Sequence, residues 1–61
     1  MVELGRFGAV EADIIVGRLA SEGIEAVASG RGLASLYPLA VTVLVDEHDL
    51  RAAQRIIADA A

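Results

Sequence analysis

The heptapeptide "LAVTVLV", residues 39–45, decides how this chain folds. It is apolar at every position but Thr42, rich in β-branched residues and of strand length. Such a run reads as a strand covered on both faces. Alternation sets Leu39, Val41, Val43 and Val45 on one side and Ala40, Thr42 and Leu44 on the other. A strand of this kind belongs in the middle of a sheet, so the rest of the chain must supply two neighbours and a cover.

The cover comes first on the C-terminal side. Asp46 is placed to cap a helix, with Asp49 near the capping-box position and Glu47 at the positive end of the helix dipole. Leu50, Ala53, Ile57 and Ala60 form the buried stripe of that helix, while Arg51 and Arg55 are spaced to pair with Glu47 and Asp59 outside the core. On the N-terminal side, Pro38 stands just before the strand, where a missing N–H does least harm. Before it runs the loop Ser29–Pro38, which combines Gly30 and Gly32 with three large apolar residues, Leu33, Leu36 and Tyr37. Residues 24–29, "IEAVAS", read as a second strand. From Ala9 to Glu22 the period is helical, with Ala12, Ile15, Val16, Leu19 and Ala20 on one stripe and Glu11, Arg18 and Glu22 off it. Gly23 supplies a left-handed stop. "VELGRF", Val2–Phe7, alternates loosely and reads as the first strand.

The order is therefore β-α-β-β-α. A right-handed β-α-β crossover whose gap is filled by the returning third strand gives sheet order 1-3-2, with two helices on one face. This is an α+β fold, a ferredoxin-like split β-α-β unit lacking its fourth strand. Two surfaces are left over. Two helices cannot cover both faces of the sheet, so one face stays open, and the first strand is an edge with unpaired backbone groups. A weaker stripe, Val10, Ile14, Gly17 and Ser21, lines the outer side of the first helix and reads as ordinary surface.

At 61 residues the chain is read as one small α/β domain, residues 1–61, near the lower size limit for folding alone. It has no cysteine to staple it, which leaves a second subunit as the expected extra support. The absence of cysteine suits the cytoplasm, and no signal pattern or membrane-length apolar run is seen. A net charge of −4, with five arginines and no lysine, disfavours phosphate backbones and anionic membranes. Phe7 and Tyr37, the two aromatics, are too few for a base-stacking platform. Neither nucleic acid nor membrane is expected as a partner.

Candidate chemistry is thin. Gly30-Arg31-Gly32 lacks the third glycine and the following helix of a dinucleotide cradle. Asp46, Glu47, His48 and Asp49 cluster around the only histidine, but no second histidine or cysteine completes a transition-metal site and the calcium pattern is absent. Ser21, Ser29 and Ser35 have only His48 as a base, with no motif joining them. Arg31 at the loop apex and Glu11 at the start of the first helix are the two candidate ligand contacts. No cofactor, metal or catalytic residue is expected, and an enzyme is not.

The frame "MVELGRF", "VEADIIVGRLASEGIEAVAS" and "VTVLVDEHDLRAAQRIIADA" resembles the small bacterial DUF2007 domains, a family described as candidate signal transducers of prokaryotes. Its best markers here are Glu11-Ala12, Gly23-Ile24 and "VLVDEHDLRAAQRII". The resemblance implies the same compact α/β fold and no enzymatic activity. Gly8 stands where family members often place Asn or Asp, which implies a weak cap, and the loop is shorter than in the family. The expected function is a non-catalytic interaction or regulatory module, acting through protein–protein contacts as a homodimer or on another protein. Its expected contact residues are Leu33, Leu36, Tyr37, Ala40, Thr42 and Leu44. The rival expectation is a small-ligand sensor that binds a metabolite near loop 29–38.

Overall fold

In the computed structural model, residues 1–33 and 36–60 are described, apart from the side chains of Leu33 and Ala60. The elements run β1 (Val2–Phe7), α1 (Ala9–Ser21), β2 (Ala26–Ser29), β3 (Val41–Val45) and α2 (Leu50–Ala60). Short 3₁₀ turns at Arg31–Leu33 and Glu47–Asp49 precede β3 and α2. The sheet order is β1-β3-β2, and both outer strands run antiparallel to β3. The α+β layout and the 1-3-2 order read from the sequence are thus the observed ones.

The central strand is covered on one face rather than on both as its apolar run suggests, because both helices pack on the same side of the sheet. Val41, Val43 and Val45 are fully buried against the helices, while Thr42 and Leu44 are half-buried on the other face. Leu19, Ile24, Val45 and Ala53 make one core cluster, with Leu50 and Ile56 of α2 and Leu4 of β1 packed against it. Ala12, Val41 and Val43 make the second, closed by Phe7, Val16 and Ala28. Leu4 and Ile15 contact both and join the clusters into one layer.

Four details depart from expectation, each for a local reason. β3 starts at Val41 rather than Leu39, and Leu39 is exposed. It has no strand beside it to pair with, because β1 ends at Phe7 opposite Val41 and β2 at Ser29 opposite Thr42. β2 starts at Ala26 rather than Ile24, because the closure of α1 takes up Gly23 and Ile24. The Gly23 N–H donates to the Ala20 carbonyl and the Ile24 N–H to the Leu19 carbonyl, a Schellman closure around Gly23 at φ +81°. Ile24 then tucks against Leu19, the apolar contact that accompanies this motif. Ala20 is exposed, at the margin of the stripe, and Ile56 joins Ala53 in the core where the sequence pattern favoured Ile57 alone. The Arg51 and Arg55 pairs do not close. Among the described residues the one Arg–carboxylate pair is Arg31–Asp13, consistent with the low value of exposed helix-surface pairs against side-chain entropy.

Gly8 stands at the N-cap of α1 and, having no side chain, makes no side-chain cap there. Asp46 does cap, but the turn leading into α2 rather than the helix itself. Its carboxylate accepts from the His48 backbone N–H at 2.9 Å. That backbone hydrogen bond, followed by the one from the His48 ring, holds the Asp46 carboxyl below the ordinary carboxylate range. A lowered pKa in the fold means the contribution is present above the unfolded value and is lost as pH falls through the folded one. The stability difference between wild type and Asp46→Ala is therefore expected to vanish on acidification through that range. Denaturation midpoints measured from neutral pH down into acid check this; a difference that persists in strong acid would assign the effect to something other than the carboxylate.

Candidate functional site

Among the described residues, no helix covers the face of the sheet away from α1 and α2, and the strand registers say which side chains occupy it. Glu3 lies opposite Leu44 and Arg6 opposite Thr42 on the β1 side. Val27 lies opposite Leu44 and Ser29 opposite Thr42 on the β2 side. Directly opposed residues share a face, so Glu3, Arg6, Val27, Ser29, Thr42 and Leu44 make up the open face. Its middle is Thr42 and Leu44 of β3, flanked by Val27 and Ser29 of β2, and charge sits only on β1. This face is less uniformly apolar than β3 alone suggests, since the sequence of one strand does not show what its neighbours bring beside it.

At the N-terminal end of β3 the open face runs into the loop. Arg6, Tyr37, Leu39 and Ala40 line a shallow recess of about 350 Å³. Leu36, Tyr37 and Leu39 are 71%, 59% and 60% exposed. Leu36 and Tyr37 therefore do not finish this chain's own core, and Tyr37 stands beside Arg6 of the sheet. Of the contact residues expected from sequence, Tyr37 and Ala40 line the recess, Thr42 and Leu44 continue the same face, and Leu36 adjoins it in the chain. The side chain of Leu33 lies outside the described residues, as does Ser35. Leu39 and Arg6 were missed. Alternation sets Leu39 on the strand's other face, and nothing in "VELGRF" marks Arg6 beyond its place in a strand.

The two candidate ligand contacts lie elsewhere. The Arg31 guanidinium pairs with Asp13 of α1, tying the start of the loop to the helix layer, and neither Arg31 nor Glu11 lines the recess. The acidic cluster is a capped turn: Asp46 is bonded to both the backbone and the ring of His48. Among the described residues, no three His, Cys, Asp or Glu side chains converge as a metal site requires, and no helix is long and apolar enough to cross a membrane. A second apolar strip lies on the helix side, where Ile14, Ile15, Arg18, Leu19, Ile56 and Ile57 line a groove of about 60 Å³ between α1 and α2.

Compared with known proteins, the chain matches one family model over residues 1–61, that of DUF2007, described as "Putative prokaryotic signal transducing protein". No curated protein and no solved structure matches it.

Proposed function

Because the chain belongs to the DUF2007 family, we propose that it is a non-catalytic regulatory module that works through protein–protein contacts and associates with a second copy of itself. The observation that carries this reading is the pair of exposed apolar residues Tyr37 and Leu39 beside Arg6 of the open sheet face, with exposed Leu36 next to Tyr37 in the chain. A small domain has little apolar surface to spare, and a contiguous exposed patch of this kind generally meets another surface. A second copy is also the support a 61-residue, cysteine-free chain lacks. The family description favours a signalling role over a purely structural one.

Sedimentation equilibrium on wild type and on Leu36→Asp/Tyr37→Ser tests the association. Both side chains are exposed, so the fold survives their replacement. Wild type is expected to dimerise, and the double variant to associate at least about ten-fold more weakly, since buried aromatic and apolar anchors dominate interface energies. A wild type that stays monomeric over the whole accessible concentration range would overturn the self-association.

One observation favours a second reading. The recess beside Arg6 falls within the size range of small-ligand sites and offers one cation among apolar walls, which suits an anionic metabolite. A thermal shift with a carboxylate or phosphate metabolite, abolished by Arg6→Ala, would support a sensor role.

A further inference from the structure

We propose that two copies of this chain join edge to edge, β1 against the partner's β1, about a two-fold axis between Leu4 and Gly5, so that Glu3 of each copy faces the partner's Arg6. This rests on the self-association proposed above and specifies its geometry.

β1 is an outer strand of the sheet, and among the described residues no strand pairs with its far side. Its pairing with β3 slips by one residue between Glu3 and Gly5, a β-bulge. The slip has a consequence for which way the side chains face. Val2, Gly5 and Phe7 oppose the buried Val45, Val43 and Val41, and Leu4 packs into both core clusters, so these four lie on the helix side. Glu3 and Arg6 lie on the open face. From Val2 to Phe7 the pattern is helix, open, helix, helix, open, helix, which reads the same in both directions.

A two-fold axis normal to a continuous sheet requires opposed residues to share a face. In a strictly alternating strand, an axis between residues 4 and 5 would set an inward side chain against an outward one. The bulge removes that mismatch, and at this axis every pair agrees. Val2 meets the partner's Phe7, Glu3 the partner's Arg6, and Leu4 the partner's Gly5. An axis centred on residue 3 or residue 6 would instead oppose two carboxylates or two guanidiniums. Within the chain, Glu3 faces Leu44 and Arg6 faces Thr42, so neither has a charged cross-strand partner. Charges on an edge strand commonly guard it against indiscriminate pairing. Opposite charges at mirror-related positions repel the wrong registers and favour one.

The same axis brings the loop into the interface. Met1, itself largely exposed, falls opposite the partner's Gly8. In each copy the Pro38 carbonyl oxygen lies 3.4 Å from where a Cβ on Gly8 would stand. Tyr37 and Leu39, beside Arg6 in the recess, are then placed to cover the partner's Met1 and Glu3. The assembled sheet has six strands with both open faces on one side.

Charge reversal tests the register. Glu3→Arg and Arg6→Glu each turn two attractive pairs repulsive and are expected to weaken self-association on the order of ten-fold. The swapped variant Glu3→Arg/Arg6→Glu restores both pairs and wild-type association. An equimolar mixture of the two single variants is expected to form the heterodimer in preference to either homodimer, read by native mass spectrometry. Overall charge cannot mimic this result. Glu3→Arg moves the net charge of −4 two units toward neutrality, and Arg6→Glu moves it two units away. A bulk-charge effect would strengthen the first and weaken the second, whereas the proposed register weakens both. Circular dichroism confirms that each variant is folded. A wild-type dimer that responds to Leu36→Asp/Tyr37→Ser but not to charge reversal and swap would overturn the β1 register and leave the self-association standing. A monomeric wild type would overturn both.

Discussion

Leu19→Ala is expected to remove about 3 kcal/mol of stability, toward the lower end of the range for a buried leucine. A domain of this size has only about 3–9 kcal/mol in all, so the variant would sit at or near its unfolding threshold. Leu19 is fully buried and contacts Ile24, Val45 and Ala53, so one side chain links α1, the turn that ends it, the central strand and α2. Its backbone carbonyl also closes the Schellman turn by accepting from the Ile24 N–H, an arrangement that the substitution leaves intact. The loss is therefore a packing loss. It should fall short of the largest known values because Leu19 borders the small groove between α1 and α2, whose other walls include Ile15 and Ile56. Those side chains can shift into part of the space, and the penalty grows with the cavity that remains. Urea denaturation followed by circular dichroism measures the effect, with Val10→Ala as control. Val10 is 74% exposed on the same helix, and its truncation is expected to stay within about 0.5 kcal/mol of wild type. A loss below about 1 kcal/mol at Leu19 would mean the two helices do not share it as their contact with the sheet.

The legible parts of this fold are those where one local preference agrees with its surroundings. Val41, Val43 and Val45 could be assigned to one face from alternation alone, and Gly23 could be placed as a helix stop because only its backbone tolerates the required φ. The sheet order followed from a β-α-β crossover whose gap the returning third strand fills. What stayed hidden depended on neighbours distant in sequence. The bulge between Glu3 and Gly5 leaves no sign in "MVELGRF" beyond an imperfect alternation, yet it determines that Glu3 and Arg6 share a face. Ile56 and Ile57 are adjacent, equally apolar and both half-buried, and only the way α2 packs on the sheet and α1 sets Ile56 rather than Ile57 against the core cluster. The candidate surface was half legible. Thr42 and Leu44 followed from β3, but Arg6 joined them only through pairing, and Leu39 changed sides once the strand proved to begin at Val41.

Gly30→Ala is expected to cost about 2–4 kcal/mol, because two penalties fall on one residue. Gly30 follows the last residue of β2 and has φ +92°, a conformation that any side chain disfavours. A Cβ there would also stand 2.5 Å from the Ala40 carbonyl oxygen, well inside contact distance. The obstacle is backbone, so no rotamer change relieves it. Ala40 leads directly into β3, which is paired on both sides and buried at Val41, so the carbonyl can retreat only by disturbing the Ser29–Thr42 pairing or the Arg6 register. Gly23→Ala supplies the comparison. Gly23 has nearly the same backbone, φ +81°, but nothing lies within 4 Å of its missing Cβ. Its cost should be the conformational part alone, about 1 kcal/mol. Thermal and urea denaturation of the two variants side by side isolate the clash as their difference. Equal losses would mean that Ala40 yields freely, and the recess built on Ala40, Leu39 and Tyr37 would then be too soft to present a defined surface. A distinctly larger loss at Gly30 would mean that the end of β2 holds the start of β3 in place, and with it the residues beside Arg6 on which the proposed contact with a second copy depends.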